Sequence, residues 1–287
     1  MPSLIDIRRR VRSVKNTQQI TKAMKMVSAA KLRRAQERAL AARPYAKMLT
    51  EMLGNVAQAA SQSPDANENR LLDVRPEKRI LMIVIAADRG LAGGFNANLL
   101  KMAQRFADEH GDAELSFEVI GKKSRDYFRR RDKTIRGEYI DLFRNVRLED
   151  AERIANSVID GFTKAEVDSV YLFVNEFKNV MSSTLHTTRL LPIEVPKNTN
   201  PPDYIYEQKP EELLGTLLPR YIKLQIYRAL VESAAAEHAA RMTAMDAASR
   251  NAAEVIDKLT LYMNRVRQAS ITKEIIEVVS GVAAQEE

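Results

Sequence analysis

Residues 80–96 read ILMIVIAADRGLAGGFN: six apolar side chains, two alanines, then three glycines within five positions. An unbroken apolar run closed by a glycine-rich turn predicts a strand buried on both faces, as in a parallel sheet covered by helices. The next stretch, 96–109, has amphipathic helical spacing, and the alternation then repeats. Strands are expected at 79–86, 115–120, 168–175 and 184–193, and helices at 96–109, 122–131 and 148–164. This order predicts a three-layer, Rossmann-like α/β domain with a mainly parallel sheet.

Outward from this domain the punctuation changes. Nine of the ten glycines lie between Gly54 and Gly215, and neither Gly nor Pro occurs in 3–43 or in 220–280. Helices of such length, about 60 Å and about 90 Å at 1.5 Å per residue, far exceed the usual 11 to 12 residues. A seven-residue repeat runs through the second stretch in Leu224, Val231, His238, Met245, Ala252, Leu259 and Val266. Ala235, Met242, Ile256 and Met263 follow members of that row by four, which is a coiled-coil seam with small residues for close packing.

In the N-terminal stretch Ile7, Val11, Val14, Leu32, Ala35, Ala39, Ala42, Leu49 and Leu53 fit the same scheme. Between Val14 and Leu32, however, Gln18, Thr21, Lys25 and Ser28 occupy the seam. Two readings stay open: a polar layer that fixes register, or a second contact with another chain. The organisation expected is a coiled-coil helix at 1–60, an α/β globular domain at 70–200, and a coiled-coil helix at 210–287 that pairs antiparallel with 1–60. The polar segments SQSPDANENR and PKNTNPPDYIYEQKPEE join the domain to the helices.

Charge is unevenly spread. The 287 residues carry +7, but residues 1–47 hold 13 Lys and Arg against only Asp6 and Glu37, a net +11. Such a segment calls for an acidic counterpart: nucleic acid, an anionic membrane surface or an acidic protein. The absence of Cys removes disulfides, cysteine zinc sites and thiol nucleophiles and suits a reducing compartment. No apolar run approaches the roughly 20 residues of a membrane span. The start MPSLIDIRRRVRSVKN lacks the apolar core of a signal peptide and reads as mature sequence.

Candidate chemistry is sparse. A P-loop needs G-x-x-x-x-G-K-[ST], and a dinucleotide fingerprint needs G-x-G-x-x-G with an acidic residue at the end of the next strand. DRGLAGGFN at 88–96 has neither pattern, and the second strand ends in Gly121, Lys122 and Lys123; a tight strand-to-helix turn is the simpler reading. His110, His186 and His238 have no second ligand at metal spacing. SSTLH at 182–186 lies in a strand without a nucleophile-elbow turn. Glu274 and Glu277 stand at a helix end, which supplies no cleft for acid–base work. The basic runs RRRVR at 8–12 and FRRRDKTIR at 128–136 keep a basic coiled-coil nucleic-acid-binding protein as the alternative, although no aromatics interleave the N-terminal basic residues for stacking.

Three blocks, IRRRVRSVKNTQQITKAMKMVSAAK at 7–31, DRGLAGGFN at 88–96 and RQASITKEIIEVVSGVAA at 267–284, resemble the gamma subunit of F-type ATP synthase, and the resemblance covers the whole chain in order. It implies a non-catalytic central rotor with no cofactor or metal of its own, whose antiparallel coiled coil stands in a ring of three alpha and three beta subunits. Rotation then couples proton or sodium flow through the membrane c-ring to ATP synthesis or hydrolysis. Carried over by position, it implies that Arg267, Gln268, Thr272 and Glu274, with Arg241, meet the ring, that Met24 and Lys25 do so from the opposing helix, and that Asp88 and Arg89 make polar ring contacts. Tyr204, Tyr206 and Glu207 would belong to a foot touching epsilon and the c-ring. The cysteine-bearing insertion of the chloroplast form is missing. The resemblance is to a bacterial form, peripheral on the cytoplasmic face of the inner membrane, with no nucleic-acid partner.

Overall fold

The computed structural model describes residues 3–60, 69–180, 182–195 and 207–283. Two helices dominate it: α1, Leu4–Ala60, and α5, Pro210–Ala283. Between them come β1 (Arg79–Ile85), α2 (Phe95–Glu109), β2 (Glu114–Ile120), α3 (Lys122–Arg129), β3 (Thr134–Tyr139), α4 (Leu148–Thr163), β4 (Ser169–Phe177) and β5 (Ser183–Leu191). The chain divides into two compact units, one of residues 1–27 and 242–287, the other of 28–241, so each long helix contributes to both. These divisions fall inside the helices rather than at the polar linkers.

In the larger unit the sheet order is β3-β2-β1-β4-β5, parallel except for the antiparallel β4–β5 pair. As the apolar run predicts, β1 is central and buried on both sides. Ile80, Met82 and Val84 face a cluster with Leu99, Ala103 and the Phe117–Phe128 stack. Leu81, Ile83 and Ile85 face the other way, into a cluster with Ile154 and Val158 of α4, Leu53 and Val56 of α1, and Leu218 and Ile222 of α5. The second helical layer is therefore built partly from the long helices themselves, because α4 alone does not cover the sheet face. Arg79 and Asp168 tie the starts of β1 and β4 together: the Asp168 carboxylate accepts from the Arg79 backbone N–H at 2.9 Å and from its guanidinium at 2.8 Å. Those bonds hold Asp168 below the ordinary carboxylate range.

One strand escapes the sequence pattern. TIRGEY at 134–139 reads as the tail of a basic run, yet it forms the edge strand β3. It is exposed at alternate residues, carries Arg136 and Glu138 outward, and is irregular where Phe117 pairs Ile135 and Glu118 pairs Gly137. An edge strand needs no apolar run, and outward charges suit an edge.

In the smaller unit α1 and α5 pair antiparallel, since Gln18 meets Ser249 and Lys25 meets Asp246. The expected seam is buried or half-buried throughout: Ile7, Thr21, Met245 and Ala252 are buried, and Val11, Val14, Leu259 and Val266 are half-buried. Pro44 and Pro219 sit inside the helices without ending them.

Candidate functional site

The strand order reverses between β1 and β4, so a ligand of a doubly wound fold would bind beyond the carboxyl ends of these strands. DRGLAGGFN lies there, between β1 and α2. The Asp88 carboxylate accepts the backbone N–H of Lys122 at 3.1 Å and of Asp141 at 3.0 Å. Lys122 is the first residue of α3, so the chain's own carboxylate takes a helix N-terminus that could otherwise hold a phosphate. Gly121 permits the close approach: its φ is 87°, and a Cβ there would stand 2.1 Å from the Ala86 carbonyl oxygen. The Asn96 side chain accepts from the Ala87 N–H at 2.9 Å and donates to the Arg89 carbonyl at 3.4 Å.

Helix α5 fills the rest of the crevice. Ser233, Glu237 and Arg241, four residues apart and so on one face, pass the end of β1. Ser233 Oγ donates to the Ile85 carbonyl at 3.4 Å, and the Arg241 guanidinium donates to the carbonyls of Gly90 at 3.1 Å and Arg89 at 3.4 Å. Arg241 also meets the Glu237 carboxylate at 2.6 Å. Burial by itself raises the Glu237 carboxyl, but His238 and Arg241 beside it outweigh that and the net shift is downward. His238 Nδ1 stands 2.8 Å from Glu237 Oε2 without the alignment of a hydrogen bond. The place where a nucleotide would enter is thus occupied by this chain's own side chains, and among the described residues no cluster of His, Asp and Glu could hold a metal.

Three of the four polar seam residues find partners within the chain. Lys25 Nζ reaches Asp246 Oδ1 at 2.5 Å, Gln18 Nε2 donates to the Ser249 carbonyl at 3.4 Å, and Thr21 Oγ1 donates to the Gln18 carbonyl at 3.0 Å. The Lys25 contact, assisted by Arg250, draws the Asp246 carboxyl downward. These partners give the register-fixing reading its support, and Met24 beside them is half-buried.

The end of α5 is different in kind. Arg267, Gln268, Thr272 and Glu274 are all exposed. Thr272 Oγ1 donates to the Gln268 carbonyl at 2.9 Å, and Ser270 donates to Glu274 at 3.2 Å. Ile271, Ile275, Ile276, Val278 and Val279 stand in solvent around them. An apolar group of this kind marks a surface meant for a partner. The sequence reading did not single it out, although apolar spacing at 271, 275, 278 and 279 on a helix past the end of its seam was the available signal. Leu91, exposed with φ 61° in the glycine turn, had no such signal. Of the remaining expected residues, Asp88 and Arg241 turn inward, Arg89 and Glu207 are exposed, and Tyr204 and Tyr206 lie outside the described residues.

Among the described residues no helix is long and apolar enough to cross a membrane. Residues 3–285 match the model of the ATP synthase family. The ATP synthase gamma chain of Solibacter usitatus is 62% identical over 286 residues, covering 100% of both chains, and that of Geotalea daltonii is 49% identical over 98% of each. Among solved structures, a chain of the Tetrahymena thermophila mitochondrial ATP synthase central stalk and c-ring superposes with a TM-score of 0.63 at 25% identity, covering 80% of this chain and 99% of its own. A chain from the Euglena gracilis mitochondrial ATP synthase, at 17% identity, shares the fold with a TM-score of 0.67 over 98% of this chain and 94% of its own.

Proposed function

This chain belongs to the ATP synthase gamma-chain family, and from that premise we propose how its residues serve a central-stalk subunit. It is a rotor component of the ATP synthase complex, partnered by the alpha and beta subunits, epsilon and the c-ring. The alternative of a basic coiled-coil nucleic-acid-binding protein finds no support among these relatives. The chain carries torque and holds no catalytic site of its own: ATP is turned over by its neighbours, and the crevice of its α/β fold is filled by α5. In the assembled enzyme it lies peripherally on the cytoplasmic face of the bacterial inner membrane.

The observation that carries this reading is the end of α5, where the apolar and polar residues from 267 to 281 other than Ser270 lie exposed, with no helix covering them among the described residues. A ring of alpha and beta subunits closed around it would bury the apolar residues and give Arg267, Gln268, Thr272 and Glu274 polar partners. Met24 and Lys25 face the same ring, Lys25 while still holding Asp246. Arg89 belongs to the surface offered to the ring, and Tyr204, Tyr206 and Glu207 to the foot on epsilon and the c-ring. For an exposed, largely basic N-terminal helix, long-range attraction to acidic loops can persist through a rotation without fixed docking.

Reconstitution with purified alpha and beta subunits tests this. Gln268→Leu should lower ATP turnover of the assembled complex severalfold while leaving the helicity of the isolated chain unchanged. Equal loss of helicity and turnover would make Gln268 a structural residue, and failure of the chain to form an ATP-hydrolysing complex would remove the stalk assignment.

A further inference from the structure

The turn at 86–94 is held more tightly than a surface loop requires. Asp88 binds the starts of two neighbouring segments, Asn96 closes the turn on itself, and Arg241 reaches it from 151 residues away. Within this frame Leu91 adopts φ 61° and is 65% exposed. A leucine held in the left-handed region with its side chain in water persists only where the surroundings over-determine the backbone, and such places often serve contacts.

Arg241 is the residue that links this turn to α5. Its side chain is only 11% exposed and is committed to the Glu237 carboxylate and two successive carbonyls. The planar fork of a guanidinium can satisfy several acceptors in fixed directions, which an ammonium cannot. Glu237 is itself buried, so it anchors the guanidinium rather than competing with water for it.

We propose that Arg241 is a positioning residue that clamps the 88–94 turn to α5, so that Arg89 and Leu91 meet the surface of a beta subunit in one fixed conformation. Arg241 acts through the turn rather than by touching the ring, and its charge is balanced inside the fold by Glu237. This rests on the central-stalk reading above. Any displacement of α5 at this point is passed to the turn through the carbonyls of Arg89 and Gly90, which makes the turn a follower of the helix.

The chain has no Cys, so a nitroxide on Leu91→Cys in the full chain reports the turn alone. With Arg241 present the label should give one restricted spectrum. Arg241→Gln should convert at least half of it to a mobile component, Arg241→Lys should restore part of the restriction, and a control label at the exposed Val74→Cys should not respond. In the unlabelled complex with alpha and beta subunits, Arg241→Gln should lower ATP turnover severalfold, with Arg241→Lys between. A label at 91 indifferent to Arg241→Gln, or equal loosening at 74, overturns the clamp. A loosened turn with unchanged turnover leaves the clamp standing and overturns the presentation of the turn to the beta subunit.

Discussion

Two stretches of one helix separate the roles of this chain. From 229 to 239 every residue of α5 is buried, and from 271 to 281 every residue is exposed, though both stretches are rich in apolar side chains. Helix propensity cannot explain the contrast, since the same helix runs through both. The first stretch finds its partners inside the chain, in the sheet face and α1. The second has only the partners that an assembled complex provides. Burial of apolar surface contributes about 25 cal/mol per Å² wherever the partner comes from, so the second stretch stores its gain for assembly.

The largest effect should come from the inward stretch. Leu230 is fully buried, and Leu230→Ala should cost about 2–5 kcal/mol by the lost contacts and the cavity left, read as a lower denaturant midpoint of the isolated chain. Ile275→Ala should stay within about 0.5 kcal/mol in the same assay while lowering turnover in the complex. Comparable destabilisation by both would erase the distinction between the stretches.

A smaller effect sharpens the picture of the larger unit's interior. Glu118 of β2 is buried beneath α4, accepting from Ser157 Oγ at 2.7 Å, with Arg136 and Tyr139 of β3 alongside. Burial raises its carboxyl, against the opposing pull of Ser157 and Arg136. A raised folded-state value means that the contribution to stability is complete below the ordinary carboxylate range and is lost as pH rises through the raised value. Glu118→Gln should therefore gain stability relative to the parent as pH rises above the ordinary carboxylate range. A difference that stays flat with pH would show that Glu118 is not titrating in that window.

The smallest effect belongs to the polar seam. Lys25 and Asp246 are both partly exposed, and pairs of that kind contribute about 0.2–1 kcal/mol. Lys25→Met should shift the denaturant midpoint of the isolated chain by no more than that. If turnover in the complex falls while the midpoint holds, Lys25 serves the ring as well as the register; if both hold, it serves the register alone.

What was legible in the sequence was whatever repeats locally. The run ILMIVIAA announced a central strand, and the heptads placed Val231, His238, Met245 and Ala252 on a buried seam. The strand β3 was hidden because an edge strand with outward Arg136 and Glu138 lacks the apolar signal on which strand recognition depends. The inward duties of Asp88 and Arg241 were hidden for another reason: the backbone groups they hold lie 34 to 152 residues away, and nothing in the local pattern encodes them. The sharing of α1 and α5 between two compact units was concealed in the same way, since periodicity gives a helix a face but does not say what covers it.

Hydrogen exchange along α5, measured on the full chain alone and in complex with alpha and beta subunits, tests the central claim most directly. The amides of 271–281 should exchange at least tenfold more slowly in the complex, while those of 229–239, already protected, change little. Unchanged exchange at 271–281 in an ATP-hydrolysing complex would contradict the assignment of this helix end to the ring.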